Sequence, residues 1–414
     1  MPGARPLAAP SGLTLCPGMP RPSSARRALF ALAVTVVLLA LAELAGRVYV
    51  SRLAVPPSAV MDDDQRALWG YLPGCHDELP PPTCIDSRGL RGPEPGPRKA
   101  GVRRALFVGD SSVYGVGLPD ERTFAQRFAA SFGGKVEALN GGVPGYSSTQ
   151  ALVMLRESWL ETKPDLLVIG TLWSDNNFDT FVDADLFARR PPTWMRLLVE
   201  HSAFARVLAG RGKAAQPIGW GPGGQDTLLA ERRVDLATYA ANLESMVDLV
   251  RERGGEPAFL ILANVEDVFR HDRPWPWDPY RAVMRATAER HGAVLVETGP
   301  IWRANGGGRA LLMDEMHPAD QGAELIAQAL AQALRERRWA EGNSALRAGN
   351  PDATAPLHDP WTSRWAAGLD GPSIAGVVQA GWAHRKRLTV QAYDADSNTV
   401  LDQVDLPGQA PFAL

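Results

Sequence analysis

The feature that most constrains the fold is a repeated alternation of short apolar runs with amphipathic segments. Five apolar runs, bounded by Gly, Asn, Asp or Pro, lie at residues 104–110, 135–140, 165–173, 257–264 and 293–299. Short runs that are apolar on both faces are typical of the buried strands of a parallel sheet. Helical periodicity separates them, so the sequence predicts an α/β fold, a three-layer doubly wound sandwich with about five parallel strands.

The composition supports a sizeable core and excludes one class of protein. Of the 414 residues, 45% are hydrophobic and 21% are charged, which is typical of a globular chain. The 43 basic and 46 acidic residues give a net charge of −3. Because nucleic-acid-binding proteins usually present a strongly basic face, we expect no nucleic-acid partner.

An apolar stretch near the N-terminus predicts a membrane helix. Residues 28–46 are 19 residues whose only charge is Glu43, and a pair of arginines directly precedes them. A helix of this length spans about 28 Å, close to the hydrocarbon thickness of a bilayer. Basic residues stay on the cytoplasmic side, so we expect an anchor over 27–47 and a disordered cytoplasmic segment over 1–26.

A cleaved signal peptide is the alternative interpretation of this stretch, with a small-residue site at 42–45. Under either interpretation the residues that follow are exported. We therefore expect the rest of the chain outside the cytoplasm, in the periplasm or on the cell surface, and attached to the membrane if the helix is not cut.

Composition divides the exported part into further segments. Strand three and strand four of the predicted sheet are separated by a long insertion at 174–234. Alternating apolar residues near the C-terminus predict two short strands joined by a turn. The expected organisation is a Pro-rich tether (48–100), the α/β domain (101–340), a linker (341–372) and a small β-like tail (373–414).

Two cysteines follow the apolar stretch, in the segment GCHDELPPPTC. Cys75 and Cys84 can close a small disulfide loop in an oxidising compartment, and two unpaired thiols are the alternative. No cluster of His, Cys and acidic residues has the spacing of a metal site, so we expect neither a metal nor an organic cofactor.

Three residues can form a nucleophilic triad. Ser111 directly follows the first predicted strand, at the edge where open α/β sheets bind their ligands. Asp314 stands three residues before His317, just ahead of the last predicted helix. A serine hydroxyl needs a base to accept its proton, and a carboxylate on the second imidazole nitrogen fixes the tautomer of that base.

Two further loops follow strand ends and can stabilise an oxyanion. In NGGVPGYSS, after the second strand, the glycines allow the backbone N–H of Gly145 to point at a developing negative charge. In GTLWSDNNFD, after the third strand, an amide side chain can donate a second hydrogen bond. All four elements therefore follow strand ends of one sheet, at the same edge.

These blocks resemble the SGNH hydrolases, also called GDSL hydrolases. The Gly-Asp-Ser at 109–111 matches the family's first block, Gly145 its second, and the segment from Asp314 to His317 its fifth. The resemblance extends over residues 101–340. It implies that Ser111 is the nucleophile, that Asp314 and His317 complete the triad, and that the N–H groups of Ser111 and Gly145 are oxyanion donors.

The third block departs from the family pattern, which is Gly-x-Asn-Asp. If Asp175 aligns with the family's Asp, Ser174 replaces the Asn, and if the loop is shifted, Asn176 supplies the amide. We favour Asn176 as the functional donor, whereas alignment with the family block favours Ser174. The segment IDSRGLRGPE (85–94) also resembles the lead-in of membrane-anchored bacterial members, which include esterases and acyltransferases that act on cell-surface glycans.

Together these features predict an exported serine esterase that acts on an O-acyl group of a glycan or on a small ester. An O-acetyltransferase of envelope polysaccharide, in which a sugar hydroxyl replaces water, is the first alternative. A catalytically silent glycan-binding or scaffold protein is the second, motivated by the altered third block. Tryptophans that could stack on sugar rings, or simply pack loops, are Trp173, Trp194, Trp220, Trp275 and Trp277.

Overall fold

The computed structural model describes most of the chain. The described residues are 24–52, 61–62, 66–77, 81–177, 181–190, 192–208, 231–269, 275–308, 310–342, 348–359, 375–378, 388–393, 400–406 and 410–413. They divide into two compact units. The first contains residues 1–54 and 193–213, and the second contains residues 55–192 and 214–414.

Strands and helices alternate through the second unit. The strands are β1 (Met61–Asp62), β2 (Gly70–Tyr71), β3 (Gly74–His76), β4 (Thr83–Ile85), β5 (Arg103–Gly109), β6 (Val136–Gly142), β7 (Leu166–Gly170), β8 (Glu256–Ile261), β9 (Val294–Glu297), β10 (Ala375–Val378), β11 (Leu388–Tyr393), β12 (Val400–Leu406) and β13 (Ala410–Ala413).

The helices follow the same chain order. They are α1 (Ser24–Arg52), α2 (Ser111–Tyr114), α3 (Phe124–Ala130), α4 (Ser148–Glu157), α5 (Asp183–Ala188), α6 (Thr193–His201), α7 (Ala203–Leu208), α8 (Leu236–Arg251), α9 (Val265–Phe269), α10 (Asp278–Arg290), α11 (Thr298–Ala304) and α12 (Asp320–Glu336). Short 3₁₀ turns lie at Asp120–Arg122, Trp159–Thr162 and Trp339–Glu341.

A parallel sheet in the order β6-β5-β7-β8-β9 forms the centre of the second unit. Each neighbouring pair runs parallel, as predicted from the five apolar runs. Numbered by appearance in this sheet, the order is 2-1-3-4-5, which reverses direction between β5 and β7. Doubly wound sheets bind ligands at such a switch point, outside the carboxyl ends of the strands.

Helices cover both faces of this sheet and form two separate cores. Leu106 and Val108 of β5 face a core with α4, α8 and α10, whereas Ala105 and Phe107 face one with α3, α11 and α12. Because successive strand residues point to opposite faces, a strand buried on both sides is apolar throughout. The predicted α/β three-layer sandwich is confirmed.

Residues ahead of the first central strand also belong to the packed second unit. Ala67, Trp69 and Leu90 are buried in the core that includes α4. This differs from the Pro-rich tether expected over 48–100, because isolated apolar residues among prolines show no periodicity that marks them as core. A disulfide joins Cys75 to Cys84 across the antiparallel pair of β3 and β4.

The first unit contains the apolar helix predicted from the sequence. Within α1, residues Ser24–Tyr49 have a mean hydropathy of 2.5 and are long and apolar enough to cross a membrane. Their large side chains are exposed, for example Leu29 at 69% and Leu38 at 60%.

The C-terminal segment contains the β-structure predicted from its alternating residues. β11 pairs antiparallel with β12, and β10 pairs antiparallel with β13. The turn expected between β11 and β12 lies outside the described residues. In the segment expected as a linker, Asp359 is buried and forms an ion pair with Arg232, Nε to Oδ2, at 2.7 Å.

Candidate active site

Three glycines lie side by side at the carboxyl edge of the sheet. Gly109, which ends β5, is in register with Gly142 of β6 and Gly170 of β7. A Cβ on Gly142 would come within 2.1 Å of the backbone nitrogen of Tyr114. The absence of side chains therefore allows α2, which begins at Ser111, to lie directly against the strand ends.

Asp110 shapes the turn from which Ser111 projects. Its carboxylate caps α2 by accepting from Ser112 N at 2.9 Å, and its second oxygen accepts from Trp173 N at 3.1 Å. The carboxylate is completely buried, and this burial raises its pKa despite the donated N–H groups. One side chain thus joins the turn at Ser111 to the loop after β7.

Ser111, His317 and Asp314 form a continuous hydrogen-bonded chain. His317 Nε2 lies 2.8 Å from Ser111 Oγ, and His317 Nδ1 lies 2.6 Å from Asp314 Oδ2. The imidazole has no exposed surface. The structure therefore brings together all three residues that the sequence predicted as a triad, across more than 200 residues of chain.

The carboxylate of Asp314 is held in its ionised form. Its other oxygen, Oδ1, accepts from the backbone N–H groups of Met316 and His317, each at 2.9 Å. Partial burial alone would raise the pKa of Asp314, but the His317 hydrogen bond and charge, together with the two N–H groups, lower it below its usual value. An ionised Asp314 fixes the proton of His317 on Nδ1 and leaves Nε2 to accept from serine.

Gly145 lies in the loop between β6 and α4, at the same edge of the sheet. Its φ of 78° is in the left-handed region, which glycine adopts without strain. Arg233 donates to the Gly145 carbonyl at 2.5 Å and to Asp183 Oδ1 at 2.6 Å. Both charged side chains are buried, so this ion pair holds the peptide around Gly145 in one orientation.

The loop after β7 places its two candidate donors differently. Asn176 donates both N–H groups of its amide to carbonyls of its own loop, to Leu172 at 2.8 Å and to Trp173 at 3.1 Å. Ser174 is buried, and its backbone N–H donates to the Asp110 carboxylate. The Asn176 amide, which was favoured for function, therefore stabilises its own loop, whereas Ser174 lies beside the turn at Ser111.

Asp175 joins this loop to the loop that contains Gly145. Its Oδ1 accepts from Ser148 N at 2.8 Å and from Ser148 Oγ at 2.6 Å, at the start of α4. Complete burial raises the pKa of Asp175 from 3.8 to about 7, although both Ser148 hydrogen bonds oppose the shift. Oδ2 is buried without a hydrogen-bond partner among the described residues.

Arg91 is a further residue that supports the site, and the sequence analysis did not single it out. It is 5% exposed and donates to the carbonyls of Tyr114, Gly115 and Leu118 at 2.5–2.9 Å. Its Nε also donates to Asp120 at 2.7 Å. These bonds hold the chain after α2. The only signal was its position in the lead-in segment at 85–94.

The tryptophans considered as sugar platforms are mostly structural. Trp173, Trp275 and Trp277 are each no more than 6% exposed, and the rings of Trp275 and Trp277 stack at 5.1 Å. Trp194 is 64% exposed and belongs to the first unit, whereas Trp220 lies outside the described residues. Buried rings are not available to stack on a sugar, so these three pack loops.

No group of three or more His, Cys, Asp or Glu side chains that could hold a metal ion occurs in the described part of the chain. The arrangement at the sheet edge instead has the three components of acyl transfer, which are a hydroxyl, a base bonded to it and a carboxylate that orients the base.

Solved structures similar to this chain include esterases and acylhydrolases of low sequence identity. An acetyl xylan esterase, AlAXEase, is 14% identical and aligns over 56% of this chain and 99% of its own, with a TM-score of 0.38. A lipase/acylhydrolase from Enterococcus faecalis is 16% identical over 57% and 97%, with a TM-score of 0.39. The acetylxylan esterase Axe2 from Geobacillus stearothermophilus is 16% identical over 57% and 96%, with a TM-score of 0.38.

No curated protein matches the chain significantly. The model of the GDSL-like lipase/acylhydrolase family matches residues 107–325, which is 219 of the 414 residues and includes Ser111, Asp314 and His317. The chain therefore belongs to the GDSL-like lipase/acylhydrolase family.

Proposed function

We propose that this chain is an exported, membrane-anchored serine esterase that removes O-acyl groups, with an acylated glycan or a small ester as its substrate. The observation that carries the proposal is the unbroken chain from Ser111 Oγ through His317 to Asp314. Family membership supports hydrolysis of an acyl bond. The same contacts argue against the alternative of a catalytically silent scaffold, because a scaffold does not require a base bonded to a serine.

In the proposed mechanism Ser111 Oγ attacks the ester carbonyl while His317 Nε2 accepts its proton. Asp314, which is already ionised, stabilises the imidazolium that forms. The N–H groups of Ser111 and Gly145 stabilise the tetrahedral oxyanion, and we assign the third donor to Ser174. This revises the preference for Asn176, because both N–H groups of its amide are bonded to carbonyls.

Collapse of the intermediate breaks the ester bond, and the imidazolium gives its proton to the leaving alcohol. Water then attacks the acyl-enzyme with His317 again as base, releasing the carboxylic acid and free Ser111. If a sugar hydroxyl attacked in place of water, the same groups would transfer the acyl chain, so the acceptor separates the esterase from the O-acetyltransferase.

The proposed location follows from α1. Its apolar stretch and the basic pair Arg26 and Arg27 in its first turn support a helix that enters the membrane from the cytoplasm. The second unit would then be periplasmic or exposed at the cell surface, where a disulfide such as Cys75–Cys84 is stable.

Replacement of Ser111 by Ala tests the function. The parent should hydrolyse small aryl acetates and be labelled by a fluorophosphonate probe, and the variant should do neither. Ser112→Ala is the matched control, because the one hydrogen bond of the Ser112 hydroxyl among the described residues is a long one, 3.4 Å to the Met316 carbonyl. Equal hydrolysis by parent and Ser111→Ala would contradict the proposal. Assays with added sugar acceptors would show whether the acyl group goes to water.

A further inference from the structure

The first unit places an acidic residue of the apolar helix against a second, distant part of the chain. Glu43, the only charge in the stretch 28–46, accepts from Ser202 Oγ at 2.8 Å and from the N–H groups of Ala203 and Phe204 at 3.1 and 3.2 Å. Arg47 also donates to it at 2.8 Å. A carboxylate that would be costly in lipid is thus satisfied by the first turn of α7.

Gly46 allows α7 to approach this closely. It is buried, and a Cβ at this position would lie 2.7 Å from Phe204 N and 2.9 Å from the Ala203 carbonyl carbon. Glu43 and Gly46 are three residues apart and therefore share one face of α1. Helices within membranes associate through small residues and polar groups on one face. The contact between α7 and α1 has both features.

The docking fixes the depth of α7 along the span. Glu43 precedes Tyr49, where the apolar span ends, by six residues, which is roughly 9 Å of helix. Tyr49 is 49% exposed, and tyrosines are typical of the membrane–water interface. Helices that lie in that interface bury their apolar side by roughly 5–10 Å, which is the depth at which α7 begins.

The remainder of this insert exposes large apolar side chains. On α6 they are Trp194 (64%), Met195 (39%), Leu197 (48%) and Leu198 (51%), and on α7 Leu208 is 71% exposed. At 100° per residue, the four on α6 fall within one stripe of about 160°. An apolar stripe of this width is costly in water and is a characteristic of helices that lie on a membrane surface.

We propose that residues 193–208 are a second membrane contact of this protein, a helical pair embedded in the outer leaflet beside the anchor. The bilayer is the occupant because α6 belongs to the same compact unit as the span. The chain that follows α6 joins it to the span, since Ser202 and the start of α7 bond to Glu43 and α7 packs on Gly46. The inference rests on the proposed membrane anchor. It assigns the first part of the insertion between β7 and α8 to lipid binding.

Depth-dependent fluorescence quenching tests this in proteoliposomes of phosphatidylcholine and phosphatidylglycerol. Cys16→Ser removes the third cysteine of the full chain, so that one introduced cysteine can be labelled with an environment-sensitive fluorophore. The labelled positions are Leu38→Cys in α1, Leu198→Cys in α6 and, as an exposed control in the second unit, Glu252→Cys. Lipids with a nitroxide low or high on the acyl chain, and iodide in the buffer, are the quenchers. We expect deep lipid quenching at 38, shallow lipid quenching at 198 and iodide quenching at 252.

The other outcomes separate the two proposals. Lipid quenching at 38 with iodide quenching at 198 would overturn the second contact and leave the anchor intact. Iodide quenching at both positions would overturn the anchor itself. Shielding of 198 from iodide without quenching by either lipid would show that protein covers α6, for example a second copy of the chain, and would also overturn the inference.

A pair of substitutions in α1 tests the docking. Gly46→Leu places a side chain where α7 approaches, whereas Ala45→Leu adds the same side chain on an exposed position next to it. We expect Gly46→Leu to lose roughly half or more of the shallow lipid quenching at position 198 and Ala45→Leu to retain it. Hydrolysis of a soluble aryl acetate should be equal in both. Equal quenching in both would contradict the docking.

Discussion

Ser111 and Asp314 each bond directly to His317, whereas Ser174 is positioned by two buried carboxylates, those of Asp110 and Asp175. Asp110 bonds the backbone of Ser174 to the nucleophile turn, and Asp175 bonds the same loop to the start of α4. Both carboxylates are completely buried, and burial raises the pKa of each. The arrangement of Ser111, His317 and Asp314 therefore depends on direct side-chain bonds, whereas the position of Ser174 depends on buried polar contacts at a distance from it.

The largest expected effect is on the triad, from Asp314→Asn. The amide can still accept from the N–H groups of Met316 and His317, but it presents an N–H to His317 Nδ1. That contact favours the tautomer with the proton on Nε2, which cannot accept from Ser111. We expect kcat to fall about 10⁴-fold, as in serine proteases with the same change, with little loss of stability. Steady-state kinetics with aryl acetates measure this, and a loss below about tenfold would show that the carboxylate is not required.

A smaller effect distinguishes the two candidate donors of the loop after β7. Ser174→Ala should lower kcat by roughly 10²-fold or more, because it removes an oxyanion donor, while leaving the loop contacts of Asp110 and Asp175 in place. Asn176→Ala removes two hydrogen bonds to carbonyls and should cost about 1–2 kcal/mol of unfolding free energy. The kinetics and a thermal melt of both variants decide the assignment, and the reverse order of the two kcat values would make Asn176 the donor.

The contrast also explains what could be predicted from the sequence. The five strands were predictable because burial on both faces leaves short continuous apolar runs. The contacts among Ser111, His317 and Asp314 were predictable because Asp314 and His317 are three residues apart and Ser111 follows a strand end. No local pattern marks the bond between Asp175 and Ser148, which are 27 residues apart.

Two other contacts were hidden for the same reason. Arg91 reaches carbonyls that lie 23 to 27 residues further along the chain. Glu43 is bonded to residues about 160 positions away, and in the sequence it is only a charge that interrupts an apolar stretch. Contacts of this kind join surfaces that become neighbours only when the chain folds. They therefore cannot be predicted from the spacing of residues in the sequence.

A third expected effect is on stability, and it tests the supporting role of Asp175. Its pKa is about 7 in the folded protein against an ordinary value of 3.8, because burial disfavours the charged form. Between these two values the folded state binds more protons than the unfolded state. The stabilising contribution is therefore complete below about pH 4 and is lost as the pH rises through 7, by at most roughly 4 kcal/mol.

Asp175→Asn should remove this dependence, since its amide oxygen can still accept both bonds from Ser148 and its neutral side chain has no proton to lose. Unfolding of the parent and the variant is compared at several pH values from 4 to 8, where contributions of other groups cancel in the difference. The variant should gain stability relative to the parent as the pH rises, with most of the change between pH 4 and 7. Parallel profiles would show that Asp175 ionises normally, and the loop after β7 would then have no buried neutral carboxyl to hold it.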